Sequence, residues 1–114
     1  MFDSVTTVAL DSALDGLAMR QRTIADNIAN VNTPNYHAKK IAFEAALSSS
    51  VQARDGHTTA TTTRSLDATQ LNGNNVNLDT ETLANIQTVL RYQFAAQASN
   101  APFTGMRTAM RTNG

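Results

Sequence analysis

Catalysis requires a constellation of groups, and this sequence does not assemble one. Its two histidines, His37 and His57, stand in different loops, with no cysteine in the chain and no carboxylate pattern beside them. Each reads as a solvated loop residue, not as a metal ligand or a base. Ser48, Ser49 and Ser50 have no neighbouring base and no glycine elbow to expose a nucleophile. Gly16, Gly56, Gly73, Gly105 and Gly114 are scattered, so no loop is available to cradle a phosphate. Ile86, Leu90 and Phe94 read as core or partner contact, not as a cofactor box. No catalytic residue, cofactor or metal ligand is expected, and the chain does not read as an enzyme.

The chemistry that remains is that of amides. Asn27 and Asn30 fall near the end of a helical period, where backbone carbonyls lack partners within the helix. Their side chains can bond those groups or the backbone of a neighbouring subunit. Asn32-Thr33-Pro34 stops the helix, because Pro34 pushes Thr33 out of the α region. Asn35 tolerates a left-handed conformation, and Tyr36 supplies a ring to pack and a hydroxyl to bond.

The element that must carry these amides has a clear period. Leu10, Leu14, Leu17, Gln21, Ile24, Ile28 and Val31 are spaced 4, 3, 4, 3, 4, 3, an a/d heptad seam with one polar member. Ala9, Ala13, Ala18, Ala25 and Ala29 widen the seam and let another backbone approach. This predicts an N-terminal helix over 1–31, beginning near Ser4 with Asp3 or Ser4 as cap, its Arg20 and Arg22 on a solvated face. Residues 32–47 form the turn and an arm, helical or extended, with Ile41, Phe43 and Leu47 as apolar contacts. Residues 48–78 are rich in Ser, Thr and Asn and poor in large apolar side chains. Such a stretch does not offset its ordering entropy, so a flexible linker is expected.

The last region, 79–114, reads as a second long helix, from about 80 to 112. Asp79 suits its N-cap and Glu81 its first turn. Leu83, Ile86, Leu90 and Phe94 form a stripe spaced 3, 4, 4, which Phe103, Met106 and Met110 continue. Pro102 predicts a kink or break near 100–102, since a mid-helix proline costs about 3 kcal/mol. The acids Asp3, Asp11 and Asp15 start the first helix, and Arg107 and Arg111 end the last, which favours an antiparallel pair. The expected fold class is all-α: long N- and C-terminal helices in an antiparallel, coiled-coil-like hairpin with a flexible middle, one small domain in all.

Composition narrows the partners. Formal net charge is zero over 114 residues, which argues against nucleic acid and removes the repulsion that opposes self-association. Hydrophobic residues make up 41% but aromatics only 5%, with no Trp. That mixture favours thin helix-on-helix packing, marginal for a lone chain, so partners or self-association are expected. No run of about 18 apolar residues is present, so no membrane insertion is expected. Met1-Phe2-Asp3-Ser4 carries no Lys or Arg ahead of an apolar stretch and does not read as a cleavable signal.

Residues 25–36, Ala-Asp-Asn-Ile-Ala-Asn-Val-Asn-Thr-Pro-Asn-Tyr, are similar to the pattern A-x-N-I-A-N-x-N-T-P-G-Y that closes the long N-terminal helix in the flagellar rod and hook family. Asn35 departs from the usual Gly, at a small cost because Asn also accepts positive φ. Gly73 to Asp79, Leu90-Arg91-Tyr92-Gln93 and Phe103 to Arg111 resemble the proximal-rod members. The chain lacks the Pro- and Gly-rich insertion usual in FlgC and has no room for the extra domains of hook proteins. The resemblance covers roughly residues 9–47 and 72–112. It implies a structural subunit of the proximal rod of the basal body, self-assembling with other rod proteins into the torque-transmitting shaft. It also implies export without a cleaved signal through the flagellar type III apparatus to the periplasmic rod. The implied partners are FlgC-like and FlgF-like rod proteins, the adaptor FliE, the export gate and the MS ring. The implied signature residues are Asn27, Ile28, Asn30, Asn32, Thr33, Pro34 and Tyr36. A small secreted or cytosolic helical-hairpin adaptor or chaperone is the other reading. It leaves the 27–36 pattern unexplained, and the chain has no Trp for the Trp-x-Gly turn of secreted hairpins.

Overall fold

The heptad spacing is realised as a helix, α1, Ser4–Ala29. It stops two residues short of the expected end. Asn30 donates its backbone N–H to the carbonyls of both Asp26 and Asn27, at 3.1 Å each, which tightens the last turn. The computed structural model describes residues 4–113, and side chains over residues 4–99. The expected cap Asp3 and the apolar residues Phe103, Met106 and Met110 lie outside the described side chains, as do Arg107 and Arg111. After α1 come β1, Lys39–Ala42; α2, Glu44–Gln52; β2, Thr61–Arg64; and α3, Leu78–Asn113.

Two strands make the fold mostly helical and not all-α. β1 and β2 pair antiparallel, with Lys39 opposite Arg64 and Ala42 opposite Thr61. Thr61, Thr62 and Thr63 are β-branched and stiff at χ1, which suits a strand better than a coil. Residues 39–47, readable as either helix or arm, are both: Ile41 in β1 and Phe43 just beyond it turn inward before α2 begins. The segment expected to be a flexible linker holds the end of α2, all of β2 and a buried loop. Its backbone is held by polar contacts instead of large side chains; for example, Thr58 N–H donates to Ser12 Oγ on α1 at 3.3 Å.

The apolar core is thin. Leu17, Ile41, Phe43 and Ala95 form its buried cluster, with Leu14, Met19 and Leu47 packed around it. Gly16 is required there: a Cβ at that position would lie 2.6 Å from the Phe43 ring. Because Leu17 meets Ala95 in this cluster and Asn27 bonds Glu81 further along, α1 and α3 run antiparallel.

The face of α3 that meets α1 is not the expected stripe. Among the described side chains of α3, Glu81, Thr88 and Ala95 are buried and Ala84 is half-buried, while Leu83, Ile86, Leu90 and Phe94 are 53–74% exposed. Small side chains let the two backbones approach, which leaves the large ones pointing away. The cap of α3 also differs from expectation. Asn77 Oδ1 accepts the Thr80 N–H at 3.1 Å, so Asn77 is the N-cap, and Asp79 and Glu81 sit in the first turn beside the positive end of the dipole. Beyond residue 99 the helix continues through Pro102 to Asn113. The break expected at residues 100–102 is absent, since one lost N–H bond, to Ala98, is a defect that a 36-residue helix can absorb.

Candidate assembly site

Asn27 is the centre of the signature and is fully buried, at 0% exposure. The i to i+3 and i+4 periods of α1 turn it toward the place where β1 and α3 meet. There every valence of its amide is used. Nδ2 donates to the Lys39 carbonyl at 2.9 Å and to Glu81 Oε2 at 3.1 Å. Oδ1 accepts the Lys39 N–H at 3.0 Å and the Tyr36 hydroxyl at 3.3 Å. One side chain therefore ties α1 to the turn, to β1 and to α3. Burial, with the nearby charges of Asp26 and Glu81, pushes the Tyr36 phenol above its ordinary pKa.

Asn30 closes the helix end, its Nδ2 donating to the Asp26 carbonyl at 2.8 Å while its Oδ1 accepts the Thr33 hydroxyl at 3.0 Å. Asn32, Thr33 and Pro34 form the exposed tip of the turn, and Ile28 is half-buried. Asn35 takes φ 64, the left-handed conformation its side chain tolerates, and donates its N–H to the Asn72 carbonyl at 2.8 Å. Gly73, at φ 83, lies against the Asn35 amide where no Cβ fits.

Two further amides complete the site, and the sequence reading did not single them out. Asn74, also at 0% exposure, donates to the carbonyls of Asn30 and Thr33 at 2.8 Å each, and accepts the Val76 N–H at 2.7 Å. Asn75 donates to the carbonyls of Ser65 at 3.0 Å and Asp67 at 3.2 Å, and accepts the Ala38 N–H at 2.6 Å. The Asn-rich run 72–77 was the available signal, but the carbonyls that Asn74 bonds lie 44 and 41 residues away and those that Asn75 bonds lie 10 and 8 residues away. Together the four amides bind the turn after α1 to the loop before α3. They leave no buried side-chain polar atom unsatisfied among the described residues, as buried polar networks require.

A second tie lies toward the middle of α1. Arg20, expected on a solvated face, is ion-paired with Glu44 and donates to Glu44 Oε2 at 2.9 Å and to the Ile41 carbonyl at 2.7 Å. Its guanidinium lies 4.9 Å from the centroid of the Phe43 ring. The bond from Arg20 holds the Glu44 carboxyl down at about 2. On its other side Glu44 faces Arg91 Nη1 of α3 at 3.6 Å.

The seam of α1 divides by depth. Leu17 and Ile24 are buried, and Leu10, Leu14 and Val31 half-buried. On α3 the stripe Leu83, Ile86, Leu90 and Phe94 lies on the opposite side from this core. Large apolar side chains left exposed on one face of a helix are the kind of surface that partners cover. Among the described residues no group of His, Cys, Asp and Glu is placed to hold a metal. His57 is exposed and its carbonyl accepts the Ser50 hydroxyl. No helix among the described residues is long and apolar enough to cross a membrane.

The turn and α1 coincide with a known family model. Residues 9–37 match the model described as flagella basal body rod protein. The flagellar basal body rod protein FlgB of Bacillus subtilis is 33% identical over 121 aligned residues, covering 94% of this chain and 94% of that protein. The chain belongs to the FlgB family of flagellar basal body rod proteins. FlgB of Escherichia coli is 30% identical over 122 aligned residues, covering 88% of each chain. FlgB of Borrelia hermsii is 62% identical over a 34-residue stretch that covers 30% of this chain. FlgB proteins are structural parts of the rod, and membership accounts for a site made of amides and an exposed apolar stripe. A helical-hairpin adaptor or chaperone is not favoured.

Proposed function

We propose that this chain, a structural subunit of the flagellar basal body rod, serves in the proximal rod, where its exposed α3 stripe packs against neighbouring rod subunits. The observation that carries this reading is the inverted packing of α3. The face Glu81, Ala84, Thr88 and Ala95 is used inside the subunit, while Leu83, Ile86, Leu90 and Phe94 stand in solvent. Burying those four on a neighbour contributes about 1.5–3 kcal/mol per side chain before the cost of association. The signature Asn27, Ile28, Asn30, Asn32, Thr33, Pro34 and Tyr36 acts by holding α1 and α3 in the register that presents this stripe. Asn27, Asn30 and Tyr36 do so through their bonds, and Pro34 by holding the turn that follows α1.

The finer placement follows the family. FlgC-like and FlgF-like rod proteins, the adaptor FliE, the export gate and the MS ring are the expected neighbours, and the periplasmic rod the expected location. The subunit has no catalytic role in this reading; it transmits torque as part of a shaft. The test is a deletion strain scored for swimming and for rods in basal bodies by electron microscopy. It is complemented by wild type, by Leu90→Ser with Phe94→Ser, or by Asn30→Ala with Tyr36→Ala. Wild type is expected to restore rods, and the stripe variant to fail while remaining folded. Normal rods in the uncomplemented deletion strain would overturn the rod assignment. Full rescue by the stripe variant would show that α3 is not the packing surface.

A further inference from the structure

Leu66 and Leu71 are the most exposed large apolar side chains among the described residues, at 98% and 110%. Leu66 is not on a slack loop. The residues on either side of it, Ser65 and Asp67, both have their carbonyls held by the Asn75 amide, at 3.0 and 3.2 Å, and the Asp67 N–H donates to Ser65 Oγ at 3.2 Å. Ser65 itself is buried, its N–H bonded to the Ala38 carbonyl at 2.7 Å. A leucine is thus presented to water with its backbone already ordered, and an acid, Asp67, stands next to it. Preorganisation of this kind lowers the ordering cost of binding.

The same molecule carries a pocket of matching character. It is about 210 Å³ in volume and opens between α1, β1 and α3, with Ile24, Ile41 and Ala84 among its lining residues and Lys39 and Lys40 beside them. Arg20 and Glu81 also line it; Arg20 is matched by Glu44 and Glu81 is bonded by Asn27. With Arg20 matched by Glu44, Lys39 and Lys40 against Glu81 leave the charge of the lining net positive. Of two other grooves, one sets Asp15 against Arg22 and another holds Glu44, so neither offers Asp67 a surplus of positive charge.

We propose that the Leu66 knob of one subunit seats in the Ile24–Ile41–Ala84 pocket of a second copy of this chain, with Asp67 against Lys39 and Lys40. The inference rests on the rod reading above, and names a self-contact separate from the α3 stripe. A knob and a pocket at different places on one molecule make a heterologous contact, which propagates when its rotation does not close. A leucine in an apolar pocket supplies contact, and the charge pair fixes its orientation.

The chain has no cysteine, so the contact can be read by disulfide trapping. Two differently tagged forms, one carrying Leu66→Cys and the other Thr80→Cys at the pocket wall, are produced together in the deletion strain. Basal bodies are isolated and mildly oxidised. The expected result is a mixed disulfide at least threefold above that from Leu66→Cys with Gln97→Cys, an exposed α3 position away from the pocket. Adding Asp67→Lys to the first form is expected to reduce the signal to the control level, and Lys39→Glu with Lys40→Glu in the second form to restore it. A yield equal to the control, in basal bodies that do contain the protein, would overturn the contact and leave the rod reading standing. Absence of the tagged wild type from basal bodies would overturn the rod reading and this contact with it.

Discussion

Replacing Asn27 by Asp changes almost no volume and leaves the two acceptor bonds, from Lys39 N–H and the Tyr36 hydroxyl, intact. What it removes is the Nδ2 donor to the Lys39 carbonyl and to Glu81 Oε2. Those two bonds contribute roughly 1 kcal/mol each. The substitution also sets a second carboxyl where an amide stood 3.1 Å from Glu81 Oε2. Two carboxylates that close do not both ionise, so the folded variant keeps one proton that its unfolded chain releases near pH 4. The pair's folded pKa is raised, so its cost is absent below the unfolded pKa and grows as pH rises toward the folded value. The slope is at most about 1.4 kcal/mol per pH unit for one proton. The penalty grows from the unfolded pKa up to the pair's raised folded value, on top of about 1–2 kcal/mol from the lost donors. Urea unfolding of wild type and Asn27→Asp, followed by circular dichroism at pH 4.5 and 7, measures this. A difference that is under 1 kcal/mol at pH 7, or that does not change with pH, refutes the view that the Asn27 amide bridges to a charged Glu81.

Other substitutions separate the parts of the fold. Gly16→Ala places a methyl 2.6 Å from the Phe43 ring and is expected to cost about 1–3 kcal/mol in a thermal melt, where an unchanged melting temperature would contradict the packing described. Glu44→Gln should flatten the acid limb of the stability curve: with its carboxyl held at about 2, Glu44 stabilises fully above its ordinary value of 4.5 and loses that as pH falls to about 2. The size is at most about 1 kcal/mol, because the side chain is half exposed. Leu90→Ser with Phe94→Ser should leave monomer stability within about 1 kcal/mol while lowering association with other rod proteins in a pull-down. Asn74→Ala strands the carbonyls of Asn30 and Thr33 and should cost about 2 kcal/mol, with faster amide exchange in residues 30–36 as the second readout.

Local signals were legible in the sequence and distant ones were not. The heptad spacing from Leu10 to Val31 led to α1 because a helical period is written within a few residues. The stop at Pro34 and the positive φ at Asn35 were readable for the same reason. The pairing of residues 39–42 with 61–64 joins segments with no shared pattern, and the threonines that favour a strand also make a segment look soft. The period of α3 marks an apolar stripe but does not say on which side the partner lies. Asn74 and Asn75 stood inside a recognisable run, yet their carbonyl partners at residues 30, 33, 65 and 67 become neighbours only once the chain has folded. Arg20 looked like any surface cation until Phe43 and Glu44 arrived beside it.

Asn27, Asn30, Asn74 and Asn75 share one chemical property: their groups carry no charge at any pH at which a protein is folded. The bonds by which they join the turn to the loop are therefore not screened by salt, and they neither gain nor lose protons as acidity changes. The ion pair of Arg20 and Glu44 and the Asn27 bond to the Glu81 carboxylate are the charged parts of the scaffold, and these are the contacts that salt and acid reach. A subunit joined in this way keeps one helix register in media of very different ionic strength. Its sensitivity lies instead in covalent change, because hydrolysis of the buried Asn27 amide to the acid would set a second carboxyl against Glu81.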